Sequence, residues 1–293
     1  MPPGLAGADP GLAARLARLI GGPVLGVDRI GSQHQLAHCR VTLPGGRQAF
    51  AKVANRGSGV FEAEARGLRW LAEAAAVPVP PVLGAGATAL VIGWLPSEAP
   101  GITAAERFGR DLAALHSAGS ATFGAPWPGF IASLPLGNDT ADSWPQWYAS
   151  QRLLAFLRRA ADSGAVSPDG VRLVEEVAAR VAELAGPPEP PSRLHGDLWS
   201  GNVLWSGGRA WLIDPAAHGG HRESDLAMLA LFGAPHLDRI LAAYQEAAPL
   251  APGWRGRVPL HQLYPLLVHA CLFGAGYAGA VRTAARSALL AGR

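Results

Sequence analysis

The stretch Arg193-Leu194-His195-Gly196-Asp197-Leu198-Trp199-Ser200-Gly201-Asn202 runs straight into Val203-Leu204-Trp205, and a Gly207-Gly208 turn then leads to Ala210-Trp211-Leu212-Ile213-Asp214. Two short apolar runs around a double-glycine turn predict a β-hairpin. Polar motifs bracket this hairpin at both ends. Antiparallel pairing returns the chain to its starting point, so Asp197 and Asn202 on one arm and Asp214 on the other are expected to converge at one end of the ribbon.

An Asp, an Asn five positions later and a second Asp closing an apolar run is the order in which phosphoryl-transfer enzymes of the kinase type place a base and two magnesium ligands. Phosphoryl transfer needs little covalent help from the protein, so positioning and charge neutralisation carry it. Asp197 suits the role of base toward an attacking hydroxyl. The neutral oxygen of Asn202 and the carboxylate of Asp214 suit a hard cation such as Mg2+. Each residue alone reads as a turn residue, cap or strand-end carboxylate; their joint spacing favours a phosphotransferase.

The first third of the chain predicts a small sheet. Val27–Ile30, Leu36–Leu43 and Gln48–Val53 read as strands around a Pro44-Gly45-Gly46 turn, Phe61–Ala76 as a helix, and Val82-Leu83 and Ala89–Leu95 as two further strands. Lys52, the sole lysine of the chain, closes the apolar run Ala49-Phe50-Ala51, which would bury its stem and leave the ammonium free to meet phosphates. Two carboxylates on the next helix could pair with it. Glu64 is preferred, because Phe61 and Leu68 place it toward the core and leave Glu62 toward solvent. The turn Ile30–Gln35 would cover the phosphates through backbone N–H groups and the Ser32 hydroxyl, although it holds one glycine and equally fits a plain hairpin turn.

From Thr103 onward helices predominate, over Ala104–His116, Trp147–Ala161, Asp169–Ala185, His221–Leu231, Pro235–Ala247 and Leu260–Arg286. The stretch Ser117–Trp144 is rich in Gly and Pro and shows no periodicity. We therefore expect an α+β chain of two lobes, a nucleotide-binding lobe over 1–96 and a helical catalytic and substrate-binding lobe over 97–293. Trp199, two residues after Asp197, is expected to contact substrate, since an indole face packs on sugars and cations; the competing role is packing. His195 is expected to hold the loop by hydrogen bonding, and Arg222, Glu223 and Asp225 to cap a helix and brace the loop by ion pairs, with no contact to the transferred phosphate.

Composition excludes several classes. A formal charge of +3 over 293 residues, without a Lys/Arg run, gives no nucleic-acid footprint. Two cysteines, Cys39 and Cys271, indicate neither a disulfide framework nor a thiolate metal site. The N-terminal segment lacks a basic start followed by an apolar core, and the apolar stretch Leu263–Val281 is interrupted by Pro265 and His269, so neither secretion nor a membrane span is expected; we expect a cytoplasmic protein and a monomer.

The octet His195-Gly196-Asp197-Leu198-Trp199-Ser200-Gly201-Asn202 resembles the signature of the fructosamine/ketosamine 3-kinase family, within the aminoglycoside-phosphotransferase and protein-kinase-like group. The likeness extends through Ala49–Val53, Phe61–Leu68, Leu112–His116, Ile213–Met228 and Leu263–Tyr277. It implies a protein-kinase-like bilobal fold with a small antiparallel-sheet lobe carrying one helix and a larger, mainly helical lobe. It also implies the use of ATP and Mg2+ to phosphorylate the sugar 3-hydroxyl of ketosamines, free or as glycated lysine on protein, in a deglycation role. By position, Lys52 and Glu64 would hold the ATP phosphates, Asn202 and Asp214 the metal, Asp197 would be the base, and backbone near Gly93, Trp94 and Leu95 would meet adenine. Gly93 stands where an acidic residue is more common, and Leu136 where a Gln is usual.

Two alternatives remain. One is a kinase of an aminoglycoside, a choline-like compound or another small hydroxyl substrate; the other is a catalytically silent nucleotide-binding pseudokinase. The intact set Lys52, Asp197, Asn202 and Asp214 argues against the latter.

Overall fold

The computed structural model describes residues 10–33 and 36–292. Helix α1 (Pro10–Ile20) is followed by β1 (Gly26–Gln33), β2 (Leu36–Thr42), β3 (Gln48–Val53), α2 (Val60–Ala72), β4 (Val82–Gly86) and β5 (Ala89–Gly93). The five strands form one antiparallel sheet in the order β1-β2-β3-β5-β4. Residues 34 and 35 of the expected phosphate-covering turn lie outside the described residues.

Alternation along β3 and β5 assigns their side chains to two faces. Ala49, Ala51, Val53, Ala89 and Val91 join Val41 and the fully buried Leu16 of α1 in one apolar cluster. Leu90 and Ile92 face the other way, against Phe61, Ala65 and Leu68 of α2. Lys52 has the parity of Phe50 and therefore points to the α2 side. The sheet is thus covered by two helices, where the sequence reading placed one, because the amphipathic α1 folds back to bury Leu16.

The remainder comprises α3 (Ile102–Ser117), the hairpin β6 (Gly129–Ile131) and β7 (Leu134–Leu136), α4 (Trp144–Trp147), a π-helical stretch Tyr148–Leu154 continuing into α5 (Ala155–Asp162), then α6 (Pro168–Ala179) and α7 (Val181–Leu184). Next come β8 (Ser192–Leu194), β9 (Val203–Ser206), β10 (Arg209–Leu212), β11 (His218–Gly220), α8 (Glu223–Phe232), α9 (Leu237–Ala247), α10 (Trp254–Phe273) and α11 (Ala278–Ala291). The predicted hairpin is β9–β10, with Val203 opposite Leu212. Its flanking loops are gathered at their far ends by a second antiparallel pair, β8 with β11, in which Leu194 faces His218.

Two expectations are corrected. The single helix read over Leu260–Arg286 is two helices, because Gly274 adopts φ +81° and ψ −160°, which no α-helix accommodates. The aperiodic stretch Ser117–Trp144 contains the β6–β7 hairpin, whose three-residue strands are too short to declare a period. Among the described residues no helix is long and apolar enough to cross a membrane.

Candidate active site

The loop from His195 to Asn202 is held in shape by its own side chains. The His195 ring donates from Nε2 to the Ile213 carbonyl (2.9 Å) and accepts the Asp197 backbone N–H at Nδ1 (3.2 Å). That pattern requires a neutral imidazole, and burial lowers the pKa of this ring accordingly. The Asn202 side-chain amide donates to both the backbone carbonyl (2.8 Å) and the carboxylate (3.0 Å) of Asp197. Its N–H groups spent there, Asn202 keeps its carbonyl oxygen for another ligand.

Beneath the loop, the buried carboxylate of Asp225 in α8 accepts the backbone N–H groups of His195 (2.8 Å) and Gly196 (3.0 Å) and meets His116 Nε2 at 3.1 Å. Burial alone would raise its pKa; the His116 side chain, with help from the Gly196 amide, outweighs burial and holds it below the usual carboxylate range. Sequence reading placed Asp225 as an ion-pair brace, whereas its main contacts with the loop are to backbone amides.

Asp214, just past β10, has φ +56°, a left-handed conformation that Asp tolerates better than most residues. Its carboxylate forms a short ion pair with Lys52 Nζ, and the same ammonium lies 2.8 and 3.0 Å from the two oxygens of Glu64. Glu62 is only half-buried, as its helix position implies. Burial would lower the Lys52 pKa, but the Glu64 and Asp214 carboxylates together push it well above its ordinary value, so the ammonium is charged at neutral pH. For Asp214, burial raises the pKa and the Lys52 ammonium reverses it, leaving the carboxylate ionised.

Asp197 is different. Among the described residues it has no cationic partner, and burial, reinforced by the neighbouring Asp214 and Asp225 charges against the opposing Asn202 hydrogen bond, pushes its pKa up to about 7. Two carboxylates a short ribbon apart are thereby set to different tasks: Asp214 remains anionic, and Asp197 is poised to take a proton near neutral pH.

These groups share one cleft of about 520 Å3, lined by Lys52, Glu64, Asp197, Trp199, Asn202 and Asp214. Three carboxylates face a single ammonium there, an excess of negative charge that suits a divalent cation among oxygen donors. Ser32 and Gly93–Leu95 are not part of this lining. Ser32 sits on the exposed end of β1; the Gly93 N–H is bonded to the Pro81 carbonyl (2.9 Å), and the Trp94 ring lies 4.6 Å beneath the Arg40 guanidinium. A Cβ at Gly93 would meet the Pro81 ring at 2.9 Å, which accounts for glycine at this position. Leu136 is buried in the helical core.

The Trp199 indole is 37% exposed, covers Gly201 and meets the Phe232 ring edge-on at 6.3 Å. Sequence reading did not assign Phe232, His269, Phe273 and Tyr277, which also line the cleft. Their signal is weak, because aromatic residues at helical spacing in an apolar helix look the same whether they line a core or a cleft. His221, Glu223 and His261 form a separate buried group of metal-ligand type, but both Glu223 oxygens are taken by Arg257 (2.9 and 2.5 Å), which supplies the balancing charge.

An antiparallel sheet with a helix-borne Glu gripping a strand-borne Lys, set over a helical body that carries the Asp–Asn–Asp site, defines a protein-kinase-like phosphotransferase. Solved structures agree: an aminoglycoside phosphotransferase in ternary complex with AMP-PNP and hygromycin B superposes with TM-score 0.63 at 16% identity over 96% of this chain and 99% of the other, a likeness of fold. Residues 29–291 match the fructosamine kinase family, and the chain belongs to that family. A crystal structure of a protein from Thermobifida fusca YX-ER1 assigned as a fructosamine-3-kinase is 53% identical with TM-score 0.92, over 95% of this chain and 98% of the other. A probable ketoamine kinase of Synechocystis sp. is 38% identical over 74% of this chain and 75% of its own length. One from Thermus thermophilus is 37% identical over 76% and 80%.

Proposed function

We propose that this chain transfers the γ-phosphoryl group of ATP to the sugar 3-hydroxyl of a ketosamine. The observation that carries the reaction class is the convergence of Lys52, Asp197, Asn202 and Asp214 on one cleft; membership of the fructosamine kinase family and the ketoamine kinase names of its relatives support the acceptor. Asn202, through its free carbonyl oxygen, and Asp214 would hold Mg2+, and the excess negative charge of the site fits that ion. When bound, Mg-ATP supplies the transferable phosphoryl group and a cation that offsets its charge.

Lys52 would neutralise phosphate oxygens, and Glu64 holds its ammonium in place for that task. Asp197 would accept the proton of the attacking hydroxyl and orient it in line. Trp199 would lie against the sugar. Phosphate is a better leaving group than hydroxide, so its placement on the sugar supports a deglycation role in which the amine is later released. Ser32 and the Gly93–Leu95 backbone remain proposed nucleotide contacts, and a lobe boundary near residue 96 remains the proposed division.

The test is ADP release with Mg-ATP against ribulosyl-lysine, fructosyl-lysine, an aminoglycoside and choline. Turnover of the ketosamines is expected. Turnover confined to the aminoglycoside or choline overturns the assignment, and none with any acceptor returns the pseudokinase reading.

A further inference from the structure

The acidic side chains of the cleft lining, Glu64, Asp197 and Asp214, all lie at the phosphoryl-transfer end. Another wall of the cleft is aromatic. From Trp199 the rings proceed to Phe232 (6.3 Å between centroids), from Phe232 to His269 (4.8 Å) and from His269 to Phe273 (5.4 Å), with Tyr277 5.1 Å from His269. This row does not end in a core. Phe273 is 57% exposed, so the wall runs from beside the base to open solvent. The one imidazole within it, His269, hydrogen-bonds from Nδ1 to the Pro265 carbonyl (2.8 Å), and burial disfavours its charged form.

A wall of this kind has little to offer a polycation, which needs carboxylates, or an anion, which needs Arg or Lys. It does offer apolar area and π faces to a substituent that leaves the reacting sugar and continues outward. In a ketosamine the sugar carries one such substituent, the remainder of the amine. Resting on the ketosamine reading above, we infer that Phe232, Phe273 and Tyr277 form a subsite for the amine-side substituent and select adducts in which that substituent is an extended, uncharged aliphatic or aryl stem. The protonated secondary amine itself would lie next to the sugar, within reach of the Trp199 π face.

The experiment compares kcat/KM for ribulose adducts of ethylamine, hexylamine, 2-phenylethylamine and 3-aminopropanoate, in the wild type and in Phe273→Ser and Phe273→Ser/Tyr277→Ser. Four extra methylenes partly covered by aromatic carbon are worth at least about tenfold. We expect the hexylamine and phenylethylamine adducts to exceed the ethylamine adduct by that factor, chiefly through KM, and the aminopropanoate adduct to gain nothing. In the variants the hexylamine-to-ethylamine ratio should fall toward one. Because Phe273 is exposed, its replacement by Ser leaves the fold intact, and circular dichroism melts check this. If all four adducts turn over equally in the wild type, or if the ratio survives in the double variant, the subsite is wrong and the ketosamine reading stands. Failure of every adduct to turn over removes the ketosamine reading and the subsite with it.

Discussion

Asp225 and Gly196 are joined by a hydrogen bond of 3.0 Å from the Gly196 backbone N–H to the carboxylate, which ties the first turn of α8 to the residue before Asp197. The same carboxylate holds the His195 N–H, so two consecutive amides of the loop hang from one fully buried anion. Asp225→Ala strands those donors and the His116 ring together. A loss of roughly 3–5 kcal/mol in unfolding free energy is expected, measurable by urea titration. Asp225→Asn retains size and one acceptor, so it should recover part of the stability while kcat stays reduced. Unchanged stability in the Ala variant would refute the bracing role.

The unpaired burial of Asp197 makes it a stability liability with a defined pH window. Its folded pKa, about 7, lies above its unfolded value, so the native state binds the extra proton between about pH 4 and pH 7, and stability from this group is present below pH 4 and lost as pH rises through 7. Asp197→Asn should therefore melt together with the wild type near pH 4 and above it at pH 8. Asp197 is partly open to the cleft, so the gain is roughly 1–3 kcal/mol rather than the full value of the shift. Scanning calorimetry of the metal-free protein across this range tests the sign.

Lys52 and Glu64 are both buried, with side chains 8% and 9% exposed. Removing the cation alone in Lys52→Met leaves carboxylates without their partner, and a destabilisation of about 3–5 kcal/mol is expected. The kcat/KM for ATP should fall by about 10²–10³-fold, the order seen when one charge-stabilising donor is lost. Lys52→Met/Glu64→Gln should restore most of the stability and none of the activity. Restored turnover in the double variant would show that the pair is structural only.

Asp197→Ala and Asp214→Ala separate the two carboxylates by role. The first should lower kcat by several orders of magnitude while nucleotide affinity, read by fluorescence titration, stays nearly constant. Asp214→Ala should weaken Mg-ATP binding as well. Equal, small effects in both would contradict the assignment.

Gly201 lies under the Trp199 indole, and a Cβ there collides with the ring. Gly201→Ala should swing the indole out of the cleft and reduce kcat/KM for the acceptor by roughly 10–100-fold, the scale of a misplaced substrate. The KM for ATP should move little. Equal changes for both substrates would place the indole in packing instead.

Local chemistry was readable along the chain. The double-glycine turn and its flanking apolar runs specify β9–β10, because hairpin registers are set within a dozen residues. Period-two alternation is enough to point Lys52 to the side of β3 that bears Phe50, and helical spacing is enough to prefer Glu64 over Glu62. The helical end at Gly274 and the β6–β7 hairpin escaped, since one is a single backbone conformation inside an apolar run and the other is shorter than any detectable period.

What the sequence alone determined was the order and type of the candidate site groups, because these depend on neighbours a few residues apart. What tertiary structure decided was their environment. Asp225 meets Gly196 across 29 positions and Lys52 meets Asp214 across 162, and the aromatic wall joins residues from the His195–Asn202 loop, α8, α10 and the turn that follows α10. Depth of burial, which raises the Asp197 pKa while Lys52 holds that of Asp214 down, is a property of such distant contacts, and no local pattern encodes it.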